Sequence, residues 1–351
     1  MAETSGTAIM TAEPRPISAR AARLLHIAYA LTLVSAAFGF AISIAYDRSL
    51  PGIAQGCING AFNGAVLSAF EIWTGSAAGA RFRSLPVPAL LALRFLVYLC
   101  VFLASVWGTT ALFKLAGFEP WRLPLTRYLE QAFAFAFAIN VVMTVRLLLG
   151  GRTLAALLLG RYRRPRAEER VVLFLDLRGS TNLAERLGDE AFHRFLNRVF
   201  YDITNPVLEA GGEIYRYVGD EIIVTWVAEP GAAAAAAQCF FAIADVLARN
   251  ARAYEAAFGA APSLRGALHQ GPLIVGEMGD VKREIVMLGD TMNTTARIED
   301  ACRATGKDVV ASAALMRAAQ PLPRGIAATS LGAHALRGKG EELELFALAR
   351  A

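Results

Sequence analysis

The sequence predicts an all-α transmembrane helical domain followed by an α+β domain whose elements run in the order βαββαβ. The chain has 351 residues, enough for about two domains, and 55% of them are hydrophobic while only 19% are charged. Most of the apolar residues lie before residue 150, in runs long enough to span a membrane. After residue 170, short apolar runs alternate with amphipathic stretches, which is typical of strands joined by helices.

The predicted membrane domain occupies residues 21–149, after a small, polar tail at residues 1–20 that we expect to be flexible. It holds about four apolar segments that approach the length of about 20 residues needed to cross a bilayer. A signal peptide would have a shorter apolar core than the first segment, so a spanning helix is the favoured interpretation. The segments are 24–46, 53–73, 94–113 and 129–149.

The second segment carries two stripes of residues that favour contact with other helices rather than with lipid. One stripe consists of small residues at four-residue spacing, which permit close approach of helix backbones. The neighbouring stripe consists of amides, which are costly against lipid. The stripes are Gly56, Gly60, Gly64 and Ser68, and Gln55, Asn59 and Asn63.

Glu71 is an acidic residue at the end of this segment. An ionisable residue within a membrane is a candidate for ligand sensing. The alternative, which we favour, is an acid near the lipid headgroups that pairs with an arginine.

Arginines cluster on one side of the predicted membrane domain. With four spans, the cations at 15–23, 81–83 and 152–170 fall on the same side. The positive-inside rule places this side in the cytoplasm. We therefore expect a multi-pass protein of the cell (inner) membrane, in contact with membrane lipid, whose C-terminal domain is cytoplasmic. Since the net charge of +5 fits this topology, nucleic acid is not expected as a partner.

Residues 150–169 continue from the last segment with an apolar stripe that includes Leu154, Leu158 and Tyr162. This pattern predicts a linker helix that joins the two domains and is able to pair with a second copy. Pro165 would end the helix.

The second domain is predicted at residues 170–351. Its order of strands and helices implies a sheet covered on one face by helices, the ferredoxin-like α+β arrangement. The predicted elements are a strand at 171–177, a helical stretch at 182–211, a hairpin at 213–226, a helix at 231–258, a strand at 263–279, a strand and helix at 284–302, a short strand at 309–312 and a final strand at 336–348.

Two acidic residues stand at the ends of predicted strands. Asp176 ends the apolar run VVLFLDL, where an uncompensated carboxylate would be costly, and Asp220 lies at the tip of the hairpin. If the hairpin pairs with the first strand, both carboxylates meet at one edge of the sheet. With a backbone carbonyl such as that of Leu177, they form an oxygen ligand set that suits Mg²⁺ or Mn²⁺.

The segment that follows Asp176 is a candidate phosphate site. Gly179, Ser180 and Thr181 begin a helix whose free N–H groups and dipole favour an anion. Gly179 allows a phosphate to approach the backbone. The alternative is an ordinary helix cap without a ligand.

Five motifs, in order, resemble those of the class III nucleotidyl cyclases, and the combination resembles the membrane-anchored bacterial adenylate/guanylate cyclases. FLDLRGST resembles F-x-D-[IL]-x-G-[FS]-[ST], and RYVGDEI resembles the K-x-x-G-D hairpin. LGDTMNTTAR resembles G-x-x-[VM]-N-x-x-x-R, and RGALHQG and RGKGE lie in the expected positions. The resemblance covers about residues 170 to 350 and leaves the membrane region without a comparable match.

The resemblance implies a role for each matching residue. Asp176 and Asp220 would bind two ions of Mg²⁺ or Mn²⁺ per active site, which activate the ribose 3′-hydroxyl and hold the triphosphate. Asn293 and Arg297, one helical turn apart, would orient the ribose and stabilise the transition-state charge. The expected phosphate contacts are Gly179, Ser180, Thr181, Arg265, Arg337 and Lys339.

The family builds each active site from two protomers, so the resemblance implies a homodimer through the cyclase domain. The metal ligands of one protomer would face the Asn293 and Arg297 of the other. Small changes in the register of the linker helix would then misplace half of each site.

Two residues depart from the purine-reading pattern of ATP-specific members. Arg216 stands in place of a lysine, and Val286 in place of an aspartate or threonine. Arg216 can donate to adenine, but its fork is wider than a lysine, and Val286 cannot bond the exocyclic amine. Glu284 or a backbone carbonyl would have to accept the hydrogen bond of that amine in place of Val286. Guanine-specific relatives have a glutamate at the lysine position, which is absent here, so ATP is favoured.

We therefore expect a membrane-bound adenylate cyclase that converts ATP to 3′,5′-cyclic AMP and pyrophosphate. The alternatives are a guanylate cyclase and a non-catalytic membrane sensor with a degenerate cyclase domain. A diguanylate cyclase would lack the N-x-x-x-R element, and a porter would need repeated charged residues in its spans, so both are disfavoured.

Overall fold

The computed structural model describes residues 19–46, 48–75, 79, 82, 85–118, 125–149, 160–281, 283–335 and 342–351. The chain divides into two compact units, Met1–Leu154 and Ala155–Ala351. We call them the helical unit and the sheet unit.

Four helices form the described part of the helical unit. The small-residue stripe of the second helix lets it approach the first closely, as its spacing predicts. A Cβ atom added to Gly60 would lie 2.1 Å from the Ser35 carbonyl oxygen, and one added to Gly64 would lie 2.5 Å from the Cα of Thr32. The helices are α1 (Ala19–Tyr46), α2 (Leu50–Gly75), α3 (Val87–Leu115) and α4 (Leu125–Leu149).

The amide stripe of α2 faces α3. The Asn63 amide donates to Ser105 Oγ at 2.8 Å, and the Thr109 hydroxyl donates to Asn59 Oδ1 at 2.7 Å. At the end of α2, Glu71 Oε2 lies 3.2 Å from Arg94 Nη2. These contacts agree with amides that face protein and with an acid paired to an arginine.

Three helices among the described residues are long and apolar enough to cross a membrane. Ala28–Tyr46 and Pro88–Leu115 belong to the helical unit. The third, Ala232–Phe258, lies in the sheet unit, where Phe240 and Ile243 are buried in the core. We therefore attribute its apolar character to packing. The helix α2, predicted as a span, does not reach this apolarity, so four spans stay a prediction.

The sheet unit contains one mixed sheet of eight strands in the order β2-β3-β1-β4-β6-β8-β7, with β5 paired to β4. The first four of these, β2-β3-β1-β4, together with α6 and α7, have the predicted βαββαβ order. The elements are β1 (Arg166–Leu177), α5 (Ser180–Leu187), α6 (Asp189–Glu209), β2 (Glu213–Val218), β3 (Glu221–Val227), α7 (Ala232–Phe258), β4 (Leu264–Met278), β5 (Glu284–Leu288), α8 (Asp290–Thr305), β6 (Val309–Ser312), α9 (Ala313–Ala318), β7 (Ile326–Ala335) and β8 (Glu342–Arg350).

Helices cover both faces of this sheet, whereas the sequence predicted helices on one face. Leu173 and Leu175 of β1 pack with α6 and α7. Val172 and Phe174 point to the opposite face and pack with Ile298 of α8. The apolar run of β1 is continuous rather than alternating, which is typical of a strand buried on both faces.

The predicted linker helix is wrong for residues 160–169. Residues 160–164 form turns and bends, and β1 already begins at Arg166, four residues before the predicted domain start. Gly160 has a positive φ of 59° and Pro165 cannot donate a helical hydrogen bond, so the helix cannot continue here. Tyr162 is instead buried against the sheet. Residues 150–159 lie outside the described residues.

Candidate active site

Asp176 and Asp220 meet at the end of β1, as the strand pairing predicts. Leu175 of β1 lies opposite Ile222 of β3 in an antiparallel pairing, so the residue that follows Leu175 and the residues that precede Ile222 reach the same edge. Burial, and then the charge of Asp220, raise the pKa of the Asp176 carboxyl above its ordinary value. The Oδ2 atom of Asp220 is buried and has no hydrogen-bond partner among the described residues. The site therefore holds a carboxylate oxygen that is open to a further ligand.

Two arginines contact the Asp176 carboxylate. Arg265 lies directly opposite Asp176 in the β1–β4 pairing, with Nη1 at 3.6 Å from Asp176 Oδ2. Arg303 reaches the same oxygen from α8, with Nη2 at 3.4 Å. Arg265 was expected to contact phosphate, and here its charge compensates the acid that the desolvation argument singled out.

Two further carboxylates, Glu221 and Glu299, join this site. Burial and the charges of Glu299 and Asp176 raise the pKa of Glu221 to about 7, and its Oε1 atom is buried without a partner among the described residues. Glu221 is therefore a half-buried member of this site. Asp176, Asp220, Glu221 and Glu299 are called the acidic cluster below.

Sequence reasoning did not identify Glu299 or Arg303. Glu299 is 8% exposed, and Arg303 donates to its Oε1 at 3.0 Å. The available signal was their four-residue spacing on the helix that carries Arg297, which predicts a pair on one helix face. Only the fold shows that this face meets the end of β1.

The loop after Asp176 is held in place by Arg178. Its backbone N–H donates to the Ser263 carbonyl at 2.8 Å, and its guanidinium donates to the Lys307 carbonyl and the Asp308 carboxylate at 2.7 and 2.6 Å. These bonds fix the loop between the buried Leu177 and the start of α5.

Gly179 precedes α5 in a left-handed conformation with φ 66°. Ser180 begins the helix, and Thr181 is exposed at its first turn. The first backbone N–H groups of α5 therefore lie beside the acidic cluster, where the sequence predicted phosphate binding.

Two of the residues expected to lie near the purine, Arg216 and Glu284, contact each other. Arg216 of β2 donates to Glu284 of β5 through Nη2 and Oε2 at 2.7 Å, and its guanidinium lies 5.4 Å from the centre of the Tyr215 ring. The Tyr215 hydroxyl accepts from the Met287 backbone N–H at 2.9 Å. Val286 is half-buried in the same strand, β5.

Asn293 and Arg297 lie on α8 without contacts to the acidic cluster. Asn293 is exposed and Arg297 half-buried, and neither side chain has a hydrogen bond or ion pair within the described part of the chain. Arg337 and Lys339 fall outside the described residues.

The metal ions that the sequence predicts would bind to oxygen atoms of Asp176, Asp220 and Leu177. No group of three or more His, Cys, Asp or Glu side chains in the described ranges has the arrangement of a metal site. Two carboxylates with a backbone carbonyl form a smaller, oxygen-only set, which fits a hard cation that completes its shell with substrate oxygens. The open Oδ2 of Asp220 supports this fit.

Comparisons with known proteins agree with the sheet unit's architecture. The family model described as the adenylate and guanylate cyclase catalytic domain matches residues 163–349. The chain is 38% identical over 274 residues to "Adenylate cyclase 2" of Rhizobium meliloti (strain 1021), which is 76% of this chain and 75% of that protein. It is 26% identical over 151 residues to "Adenylate cyclase" of Anabaena cylindrica, 42% of this chain and 30% of that protein.

A solved structure of a bacterial light-regulated adenylyl cyclase shares the fold. The TM-score is 0.55 at 20% sequence identity, and the alignment covers 66% of this chain and 68% of that one. At this identity the likeness concerns the fold alone.

Proposed function

Because the chain belongs to the adenylate and guanylate cyclase family, we propose that it is a membrane-bound adenylate cyclase that converts ATP to 3′,5′-cyclic AMP and pyrophosphate. The observation that carries this proposal is the meeting of Asp176 and Asp220 at the end of β1, with one carboxylate oxygen open. Surplus negative charge repels a triphosphate, so a site of this kind binds one only when cations lie between the two.

Asp176, Asp220 and the Leu177 carbonyl would hold two ions of Mg²⁺ or Mn²⁺, which when bound make the ribose 3′-hydroxyl a nucleophile and neutralise the triphosphate. The backbone N–H groups at the start of α5 would receive phosphate oxygens. Arg178 keeps that helix start in register with Asp176 through its bonds to the loop before β6. The 3′-oxygen then attacks the α-phosphorus, and the bond to the pyrophosphate oxygen breaks.

The second half of each site would come from a second copy of the chain. The side chains of Asn293 and Arg297 lack hydrogen bonds and ion pairs within the described part of their own chain. A guanidinium free of intrachain pairing is available to stabilise charge on a partner's substrate. This supports a homodimer with two composite sites.

The pair of Arg216 and Glu284 would read the purine. The guanidinium is a donor, and the carboxylate supplies the acceptor that Val286 lacks, so together they replace the usual lysine and aspartate. A relative named as an adenylate cyclase, which this chain matches over most of both lengths, favours ATP. Guanylate cyclase is the second candidate, because a carboxylate acceptor also suits the N–H groups of guanine.

The helical unit would anchor the enzyme in the cell membrane with the sheet unit in the cytoplasm. Two helices of this unit, Ala28–Tyr46 and Pro88–Leu115, have the length and apolarity of spans. The positive-inside distribution of arginines supports the orientation.

The test is to incubate membranes that contain the full chain with Mn²⁺ and either ATP or GTP, and to measure both cyclic products. Cyclic AMP from ATP is expected, with little cyclic GMP from GTP. Asp220→Asn should abolish the product, whereas Asp245→Asn, which removes the same charge from an exposed pair with Arg350, should not. Full activity in Asp220→Asn would overturn the metal assignment, and no product from either nucleotide would favour the non-catalytic sensor.

A further inference from the structure

Arg303 is a charged contact of Asp176 that the proposed chemistry does not use. Its Nη2 atom lies 3.4 Å from Asp176 Oδ2 and 3.0 Å from Glu299 Oε1. The other arginine at this carboxylate, Arg265, belongs to the sheet and its side chain is only 15% exposed, whereas that of Arg303 is 56% exposed. Arg303 therefore reaches the acid from the solvent side of the site.

Asp176 depends on such a charge. Its side chain is 14% exposed, so its charge has to be compensated largely by neighbouring groups. Arg303 Nη2 lies 3.4 Å and Arg265 Nη1 lies 3.6 Å from the same oxygen, Asp176 Oδ2. The exposed arginine thus shares the compensation of this carboxylate with the one built into the sheet.

The oxygen that Arg303 contacts belongs to a proposed metal ligand. A guanidinium and a divalent cation at the same carboxylate oxygen repel each other and compete for its lone pairs. Arg303 has a second partner, because Glu299 lies one turn earlier on α8 and is held at 10% side-chain exposure. The arginine can give up Asp176 and still keep one ion pair at the site.

We propose that Arg303 is a positioning residue that acts as a displaceable counter-ion: it pairs with Asp176 until a divalent cation takes its place, and Glu299 retains the displaced guanidinium. The inference rests on the proposed function, since it takes Asp176 as a metal ligand. It assigns Arg303 the task of compensating the charge of the acid and holding its orientation before metal and nucleotide arrive, at a cost in metal affinity.

The experiment measures Mn²⁺ binding to the purified full chain in detergent, by electron paramagnetic resonance of the free ion. Arg303→Gln should bind Mn²⁺ roughly threefold to tenfold more tightly than the unaltered protein, as expected when one partly exposed competing charge is removed. Arg303→Lys retains the charge and should stay close to the unaltered protein. The concentration of Mn²⁺ that gives half-maximal turnover should fall in Arg303→Gln by a similar factor.

Arg194→Gln is the matched control. Arg194 also forms an exposed pair with a glutamate four residues earlier, Glu190, and its side chain is 60% exposed. Its removal changes the net charge equally but away from Asp176, so Mn²⁺ affinity should not change.

Unchanged or weaker Mn²⁺ binding in Arg303→Gln would overturn the inference, and so would an equal gain in Arg194→Gln. A purely structural role would lower thermal stability in Arg303→Gln and leave Mn²⁺ affinity as it was. Failure of the proposed function is separate: the protein would make no cyclic nucleotide, or its Mn²⁺ binding would persist in Asp176→Asn.

Discussion

In the described part of the helical unit the partly buried carboxylate of Glu71 is matched by one guanidinium, whereas in the described part of the sheet unit the four carboxylates of the acidic cluster face two guanidiniums. Glu71 pairs with Arg94, whose side chain is 6% exposed. Among the described residues, the ion pairs of the acidic cluster are those of Asp176 with Arg265 and Arg303 and that of Glu299 with Arg303. A neutral buried pair is sufficient for structure, since it leaves no charge to compensate. A cluster with surplus charge destabilises the fold unless a ligand compensates that charge. This difference indicates that the ligand-binding site lies in the sheet unit.

The largest effect is expected when the two halves of the proposed composite site are inactivated on different copies of the chain. Asp176→Asn and Arg297→Ala should each lower cyclic AMP production about 100-fold or more, because one removes a proposed metal ligand and the other a proposed transition-state contact. Co-expressed, they should recover about a quarter of normal activity, since about half of random dimers are mixed and each of these has one intact site of two.

The control for this experiment pairs two changes from the same half. Asp176→Asn with Asp220→Asn should not recover, because every site in a mixed dimer carries one of the two changes. Recovery in this control, or none with Arg297→Ala, would contradict the composite site.

Removing one partner of the helical unit's ion pair should destabilise that unit. Arg94→Leu leaves the Glu71 carboxylate without its guanidinium and should lower the free energy of unfolding by about 3–5 kcal/mol. The double change Glu71→Leu with Arg94→Leu should lower it much less. Thermal unfolding in detergent measures both, and equal losses would show that the pair does not carry the stability of this contact.

The same measurement on the sheet unit should show no loss of stability. Asp220→Asn removes a charge from the acidic cluster and leaves no buried cation unpaired, so in the presence of a chelator it should not lower the melting temperature. A loss comparable to that of Arg94→Leu would remove the contrast between the two units.

Nucleotide choice should depend on the Arg216–Glu284 pair. Glu284→Gln weakens the hold on Arg216 and changes the acceptor offered to the purine, so the ratio of ATP to GTP turnover should shift by about tenfold. Arg216→Lys keeps the donor and should retain ATP turnover. Glu344→Gln, at an exposed position of β8 away from the pair, is the control, and an equal shift there would leave purine reading without support.

The smallest expected effect is on the pH dependence of stability. Because the pKa of Glu221 is raised from 4.5 to about 7, the folded protein binds a proton there that the unfolded chain has released. Stability without metal should therefore fall as pH rises between about 4.5 and about 7. Glu221→Gln should flatten this slope in chemical unfolding, and a slope unchanged by the substitution would assign the pH dependence to other groups.

The sequence was sufficient for features that local patterns determine. The βαββαβ order follows from strand and helix periodicity, and the meeting of Asp176 with Asp220 follows from a hairpin paired with the first strand. The strand β7 was not predicted, since its Ala, Gly and Ser residues give little strand signal. The helix α8 was predicted, but its place on the second face of the sheet was not, because that position depends on tertiary packing.

Only those residues of the candidate site that belong to a recognisable motif could be predicted from the sequence. Asp176 and Asp220 stand in motifs, but Glu299 and Arg303 lie beyond the Asn293–Arg297 element and gain their meaning from packing of α8 against β1. The pairing of Arg216 with Glu284 joins residues 68 positions apart. Their bond requires β2 and β5 to approach, and no local pattern indicates that approach.

The central claim, that the surplus acid at the end of β1 binds the catalytic cations, is tested most directly by counting bound Mn²⁺. The full chain would be saturated with a non-hydrolysable ATP analogue and the bound ions counted per active site. Two ions per site are predicted for the unaltered protein, with loss of binding in both Asp176→Asn and Asp220→Asn. Full occupancy in either variant would contradict the account.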